Sequence, residues 1–223
     1  KRDLFSIEIL VAGKNYKEIT YQIKKYQPKY FIITDKNIFE KISSEYKKSK
    51  IIFLNNFFEL KIKNKTIDIA IIAIPGLVGL KPTLDFIKKS KKVLLANKEA
   101  IICAWTLIKK EAISYKTQLI PIDSEHFSVS KLIENKSHSL IKNIYITASG
   151  GPFLNWKKSK INSAKLSDAL KHPKWNMGKK ISIDSATMMN KVFEFKEAMQ
   201  LFSIPPDKLK ILIHPQSLVH AIV

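Results

Sequence analysis

Two short stretches of this chain concentrate side chains that can hold a cation beside an anion. One is Asp123-Ser124-Glu125-His126, at the end of an apolar run, and the other extends from His172 to Glu194. Their carboxylates suit a hard cation, and their lysines, hydroxyls and small residues suit a phosphate. This combination predicts an enzyme.

The spacing within each stretch allows several of its side chains to bind the same ligand. Asp123 and Glu125 are at positions i and i+2, so on an extended backbone after a strand both side chains point to one side. Alone, the pair would be better interpreted as solvated acids, but a second cluster accompanies it. Asn190, Lys191 and Glu194 are at i, i+1 and i+4, which on a helix brings an amide and a carboxylate to one face with an ammonium beside it. Oxygen ligands of this kind favour magnesium or manganese.

Three other features are weaker signals. Ser149-Gly150-Gly151 follows an apolar run, and its glycines allow backbone N–H groups to approach an anion, although an ordinary turn is an equal interpretation. His172 and His214 each precede proline, which favours extended, loop-like backbone. Trp175 lies on a glycine-ended segment that suits a lid over a substrate, with core packing as the alternative.

The sequence around these residues predicts alternating strands and helices, which must position them. Near-continuous apolar runs predict a parallel sheet covered on both faces. The predicted strands are Ser6–Ala12, Tyr30–Thr34, Ile51–Leu54, Ile67–Ile74, Val93–Ala96, Gln118–Ile122, Ile144–Thr147 and Leu209–Ile213, and the predicted helices are Tyr16–Tyr26 and Thr83–Lys89. Ligands of such sheets bind beyond the carboxyl ends of the strands. We expect an α/β fold with a domain boundary near Asp123, giving domains 1–122 and 123–223.

Composition narrows the function classes. The chain has 223 residues, 45% of them hydrophobic, a single cysteine and neither a long apolar run nor a signal-peptide layout, so we expect a folded cytoplasmic protein without membrane spans. The net charge is +20, yet only Arg2 among 39 basic residues is arginine. Bidentate guanidinium contacts are therefore scarce, and a lysine-coated surface is favoured over a nucleic-acid face.

Five strings of residues are similar to one known family. LLANKEA (94–100), PIDSEH (121–126), TASGGPF (147–153), HPKWNMGKKISIDSATMMNK (172–191) and LIHPQS (212–217) closely resemble 1-deoxy-D-xylulose 5-phosphate reductoisomerases. The resemblance implies a Rossmann-like parallel-sheet NADPH domain followed by an α/β catalytic domain. It also implies NADPH and Mg²⁺ or Mn²⁺ as cofactors, 1-deoxy-D-xylulose 5-phosphate as substrate, 2-C-methyl-D-erythritol 4-phosphate as product, and a homodimer in the full-length protein.

The resemblance assigns roles to individual residues. It implies Asp123, Glu125 and Glu194 as metal ligands. For catalysis and substrate binding it implies Lys98, Ser124, Ser149, His172, Trp175, Ser185, Asn190, Lys191 and His214, with Ser149, Ser185, Asn190 and Lys191 as the phosphate pocket and Trp175 on a lid. For the cofactor it implies Gly13, Lys14, Asn15, Asn97, Glu99 and Gly178, with Lys14 facing the 2′-phosphate.

Some family features are expected outside this sequence or differ within it. The glycine-rich dinucleotide turn and the helical carboxyl-terminal domain fall before Lys1 and after Val223, so we expect the given chain to be catalytically incomplete. Phe127-Ser128 and Val192-Phe193 replace residues common in the family and could shift the helix that bears Glu194. Two other classes stay open: a metal-dependent phosphoryl-transfer or phosphate-ester enzyme, and a basic, non-enzymatic binding module.

Overall fold

The computed structural model describes residues 4–171 and 178–223. Within those ranges the strands are β1 (Ile9–Ala12), β2 (Tyr30–Ile33), β3 (Ile52–Leu54), β4 (Ile67–Ile72), β5 (Ser90–Leu95), β6 (Gln118–Pro121), β7 (Ile144–Ala148), β8 (Leu209–Ile213) and β9 (Ala221–Ile222). The helices are α1 (Tyr16–Tyr26), α2 (Lys36–Glu45), α3 (Leu80–Lys89), α4 (Lys98–Ser114), α5 (Ser124–Ile133), α6 (Lys158–Ile161), α7 (Leu166–Ala169), α8 (Lys179–Ala186) and α9 (Met189–Phe202).

Residues 1–63 form the first of two compact units. Strands β1, β2 and β3 pair in parallel in that order. Helix α1 begins at the cap residue Asn15 and buries Ile19 and Ile23 against Phe31 and Ile33 of β2. The apolar i, i+4 spacing on α1 thus produces one buried stripe, as expected of a helix that covers a sheet.

Residues 64–223 form the second unit, which contains two sheets. In the first, β4, β5 and β6 pair in parallel, and α3 and α4 connect successive strands. In the second, β7 lies between parallel β8 and antiparallel β9. A core that includes Val129 of α5, Ile144 and Ile146 of β7 and Ala198 of α9 holds these two helices against the second sheet.

The structure agrees with most of the predicted elements and corrects some details. A strand lies within or overlaps each of the eight predicted runs, and α1 has the predicted bounds. The prediction of a sheet covered on both faces is wrong for β4 in the described part of the chain, where Ile71 is 64% exposed. Asp123 and Glu125 do not share an extended backbone, because α5 begins at Ser124. The boundary predicted at Asp123 lies inside the second unit and stays a prediction.

No helix in residues 4–171 or 178–223 combines the length and apolar character needed to cross a membrane.

Asn97 anchors the start of α4, and its removal is expected to destabilise the fold. The buried side chain accepts from Ala100 N at 2.5 Å and donates to Gly76 O at 2.8 Å and to Ile74 O. Asn97→Ala leaves these groups unsatisfied, so we expect the free energy of unfolding to fall by about 3 kcal/mol.

Denaturant unfolding of the full-length protein without cofactor measures this loss. Asn15→Ala is the matched control, because Asn15 caps α1 through one exposed bond from Glu18 N at 3.2 Å and its loss is expected to cost about 1 kcal/mol. Equal losses in the two variants would contradict a special structural role for Asn97.

Candidate functional site

A cavity of about 420 Å³ opens in the second unit where three strands end. Lys98 follows β5, Asp123 follows β6 and Ser149 follows β7, and all three residues line this cavity. The carboxyl ends of parallel strands are where α/β sheets bind ligands. The fold thus brings residues that are distant in sequence to one opening.

Three carboxylates meet in this cavity. Asp123 directly precedes α5, Glu125 lies in the first turn of the same helix, and Glu194 comes from α9. Each contributes an oxygen that lies within 4.8 Å of the others, and Glu194 is only 2% exposed. Three oxygen donors at this spacing fit a hard divalent cation such as Mg²⁺ or Mn²⁺.

Two lysines are paired with those carboxylates. Lys98 Nζ donates to Asp123 Oδ2 and lies 3.7 Å from Glu194 Oε1. Lys191 Nζ lies 3.1 Å from Glu125 Oε1 and donates to Glu194 Oε2. Two ammonium groups therefore offset the charge of the three acids, and a bound cation would compete with them for the same oxygens.

The acids differ in how easily they ionise. Burial raises the pKa of Glu194 above its ordinary value, and this effect outweighs the nearby ammonium of Lys191. Burial also acts to raise the pKa of Glu125, but the charge of Lys191 and the hydroxyl of Ser124 outweigh it and the pKa is lowered. Glu125 is therefore the more readily ionised of these two carboxyl groups.

A glycine turn brings the opposite wall close to α8. Gly151 has a positive φ of +69°, and a Cβ there would lie 2.6 Å from Ser185 O. Glycine is therefore required by both the backbone conformation and the close approach. As a result, the hydroxyl-bearing residues Ser149 and Ser185 line the same cavity from the turn and from α8.

The first turns of α9 supply the remaining predicted contacts. Asn190 Nδ2 donates to Glu194 Oε1, so the i, i+4 pair shares a face of the helix, and Lys191 lies beside it. All three residues line the cavity. This arrangement is the one that the spacing of these residues predicts.

A buried acid and histidine lie directly behind the carboxylates. His126 of α5 and Glu197 of α9 are both fully buried, with His126 Nδ1 3.3 Å from Glu197 Oε2. Burial lowers the pKa of His126 to about 4 and raises that of Glu197 to about 8. Both groups are therefore neutral near pH 7. No local pattern in the sequence marks Glu197, since a glutamate on a helix face of mixed polarity does not indicate that it is buried.

These shifts predict how stability varies with pH. Between about pH 4 and 6.5 the unfolded chain binds more protons at His126, so this group makes stability rise with pH, while Glu197 opposes it from 4.5 upward. Of these two groups, only Glu197 contributes above pH 6.5, because its carboxyl group in the folded state retains a proton that the unfolded state has lost. Stability is expected to fall by up to about 2 kcal/mol between pH 6.5 and 8 through this group.

Glu197→Gln carries no titratable proton, so the difference in unfolding free energy between parent and variant should change across pH 6.5 to 8. Denaturant unfolding of both full-length proteins at several pH values tests this. A difference that is constant with pH would show that Glu197 is ionised in the folded protein.

Other predicted residues lie outside the cavity. Asn97 is occupied by its cap bonds, Glu99 pairs with Lys180 at 2.7 Å, and Gly178 caps α8. His214 Nε2 accepts from Leu218 N at 3.1 Å. Gly13, Lys14 and Asn15 belong to the first unit, and the predictions for His172 and Trp175 fall outside the described residues.

The cavity also contains residues that the sequence analysis did not select. Ser217, His220 and Met188 line it. Ser217 is the last residue of the string LIHPQS, so the motif that contains it was a usable signal. His220 stands in an apolar run without a motif, and Met188 has an apolar side chain that is typical of core packing, so neither residue type signals a site.

A parallel α/β fold with an acidic, lysine-flanked cavity at its strand ends is typical of enzymes that bind a ligand and a hard cation beyond the carboxyl ends of their strands. Two family models match this chain. Residues 1–105 match the 1-deoxy-D-xylulose 5-phosphate reductoisomerase model, and residues 119–202 match that of the C-terminal domain of the same enzyme. The chain belongs to the 1-deoxy-D-xylulose 5-phosphate reductoisomerase family.

Individual relatives agree with this assignment. The reductoisomerase of Pelagibacter ubique is 51% identical over 222 residues, which is 98% of this chain and 57% of the relative, and that of Wolbachia pipientis wMel is 38% identical over 100% of the chain and 57% of the relative. The chain thus spans little more than half the length of these relatives.

Solved structures show the same fold. A DOX-P reductoisomerase in complex with NADPH, fosmidomycin and magnesium is 31% identical with a TM-score of 0.89, over 98% of this chain and 57% of that one. The Zymomonas mobilis enzyme in complex with NADPH is 35% identical with a TM-score of 0.87, over 99% and 57%.

Proposed function

We propose that this sequence is part of an enzyme that converts 1-deoxy-D-xylulose 5-phosphate into 2-C-methyl-D-erythritol 4-phosphate with NADPH and Mg²⁺ or Mn²⁺. The observation that carries the proposal is the convergence of Asp123, Glu125 and Glu194 within 4.8 Å in one cavity. The relatives named reductoisomerases, and a related structure in complex with NADPH and magnesium, support it.

Asp123, Glu125 and Glu194 would hold the cation. When bound, a divalent cation polarises ligand oxygens and stabilises negative charge that develops on them. Lys98 and Ser124 line the same cavity as Asp123, which supports the proposal that both contact substrate oxygens. Lys98 would then exchange its pairing with Asp123 for a bond to substrate when the cation enters.

The phosphate of the substrate would bind in the same cavity, beside the clustered carboxylates. Ser149 and Ser185 offer hydroxyls, and Lys191 and Asn190 offer an ammonium and an amide. Such donors orient a phosphate and hold the reacting carbons at a fixed distance from the cation. We also propose His172, Trp175 and His214 as substrate contacts, with Trp175 on a lid, on the strength of the motifs that contain them.

NADPH would supply the hydride. We propose Gly13, Lys14, Asn15, Asn97, Glu99 and Gly178 as its contacts. Lys14 is exposed at the carboxyl end of β1, where its ammonium is accessible to a 2′-phosphate. The bonds of Asn97 to its own backbone and the pairing of Glu99 with Lys180 indicate that these two act by shaping the site as much as by direct contact.

The remaining proposals concern the surroundings of the full-length protein. We propose a homodimer, because of the family resemblance, and a cytoplasmic location, since the one cysteine, Cys103, is an exposed free thiol. We also propose that the protein has no nucleic-acid partner, because only one of its 39 basic residues is an arginine, the residue type suited to nucleic-acid recognition.

The test follows NADPH absorbance in the full-length protein that contains this sequence. Oxidation of NADPH that requires both 1-deoxy-D-xylulose 5-phosphate and Mn²⁺ is the expected result. A folded protein that consumes no NADPH under these conditions would overturn the proposal and return attention to the phosphoryl-transfer alternative, which should need no reductant.

A further inference from the structure

The imidazole of His126 connects the two helices that carry the candidate metal ligands. It belongs to α5, one residue after Glu125, and it is completely buried. Its Nε2 lies 2.9 Å from the main-chain oxygen of Glu194 in α9. A single side chain therefore spans from the helix of one ligand to the backbone of another.

The direction of this hydrogen bond fixes the tautomer. A carbonyl oxygen only accepts, so Nε2 of His126 carries the proton and Nδ1 has a lone pair. That lone pair faces Glu197 Oε2 at 3.3 Å, and neither Nδ1 nor either Glu197 oxygen has a hydrogen-bond partner among the described residues. A proton on Glu197 Oε2, directed at Nδ1, would give a partner to two of these three buried atoms.

We propose that His126 and Glu197 are positioning residues that hold the backbone of Glu194, and with it the Glu194 carboxylate, at the cation site. The inference rests on the proposed function only in treating Glu194 as a metal ligand. Glu197 orients the ring of His126 through the contact at Nδ1. The ring in turn holds the main-chain carbonyl of Glu194, which lies about one helical turn before Glu197 on α9, through the hydrogen bond from Nε2. Neither residue touches the cation or the substrate.

The chemistry of the pair favours this role over ordinary core packing. Phe202 stacks against the same ring with centroids 6.3 Å apart, so an apolar side chain would have been enough to fill the space. Buried polar groups cost free energy unless they are hydrogen-bonded, and the bond that His126 makes in the structure is the one to the Glu194 carbonyl. Groups that orient metal ligands by hydrogen bonds typically change metal affinity 10- to 100-fold when they are replaced.

A cation held by His126 itself is the competing interpretation. Asp123, His126 and Glu197 also bring ligand atoms within 4.8 Å of one another. In such a site Nδ1 of His126 would bind the metal, and Glu197 would have to be ionised although it is fully buried. The metal would also compete with Lys98 for the carboxylate of Asp123. Metal stoichiometry separates these two interpretations.

Two substitutions of His126 give a matched test in the full-length protein. The amide nitrogen of His126→Gln falls near the position of Nε2 and can still donate to Glu194, whereas that of His126→Asn falls near Nδ1 and cannot reach it. Titration calorimetry with Mn²⁺ alone is expected to give one site, a Kd within about threefold of the parent for His126→Gln, and a Kd at least about tenfold weaker for His126→Asn.

Phe202→Leu controls for general loosening around the ring, since it alters a ring contact without touching the hydrogen bond. Its Mn²⁺ affinity should match that of the parent. Equal affinities for His126→Asn and the parent, equal losses in both His126 variants, or a parent that binds no Mn²⁺ would each overturn the proposal. A stoichiometry of two Mn²⁺ per chain in the parent and one in Glu197→Gln would also overturn the proposal, because it would show a second cation site that includes Glu197.

Affinity for Mn²⁺ is measured without turnover, so this test is independent of the proposed reaction. If the parent consumes no NADPH, but His126→Asn binds Mn²⁺ more weakly than His126→Gln as expected, the positioning role is supported and the proposed function is wrong. A parent that is active but lacks this difference between the two variants would give the opposite result.

Discussion

Glu194→Gln in the full-length protein is expected to reduce kcat for substrate-dependent NADPH oxidation about 1,000-fold. Glu194 is the most buried of the three clustered carboxylates and accepts hydrogen bonds from Lys191 and Asn190. Glutamine keeps the shape and removes the charge, so the site loses one of three anionic ligands. The corresponding loss of transition-state stabilisation is about 4 kcal/mol, within the several kcal/mol that a catalytic cation contributes.

Initial rates at saturating substrate, measured across a Mn²⁺ series, test this expectation. Glu134→Gln is the control, because Glu134 is an exposed acid at the carboxyl end of α5 that pairs with Lys131 at 3.0 Å, and the rate of this variant should be unchanged. If Glu194→Gln retains more than about a tenth of the parent kcat at every Mn²⁺ concentration, Glu194 is not a ligand of the catalytic cation.

Local patterns predicted the parts of this site that depend on one element. The spacing of Asn190, Lys191 and Glu194 placed them on one helix, and the apolar runs placed Lys98 and Asp123 at strand ends. Parallel topology then brings such ends together regardless of their separation in sequence. These inferences need only the period of an element and its direction.

Two kinds of error remain. Asp123 and Glu125 are residue types that favour a helix start, but they were predicted on the extended backbone of the preceding strand, whereas α5 begins at Ser124. The other missed features depend on contacts between elements. Glu197 and His126 are 71 residues apart and meet only because α5 and α9 pack together. The pairing of Lys98 with Asp123 likewise follows from two different strands, which no local period encodes.

Replacement of Lys191 is expected to lower the free energy of unfolding, because its buried ammonium lies between two carboxylates and neutralises part of their charge. Lys191 is 6% exposed and bonds Glu125 and Glu194. Lys191→Met keeps much of the volume but leaves two acids without this counter-charge. Breaking a buried ion pair on one side costs about 3–5 kcal/mol, so we expect the unfolding free energy without metal to fall by about 3 kcal/mol.

A divalent cation should reverse much of that loss, since it supplies positive charge to the same oxygens. Denaturant unfolding of Lys191→Met with and without saturating Mn²⁺ is therefore expected to show a larger metal stabilisation than in the parent. Lys180→Met is the matched control. Lys180 bridges Glu99 and Asp184 at 2.7 Å but is half exposed, so its loss should cost no more than about 1 kcal/mol, independent of metal. Equal Mn²⁺ stabilisation in the parent and in Lys191→Met would mean that the ammonium and the cation do not share ligands, and that the cation site lies elsewhere.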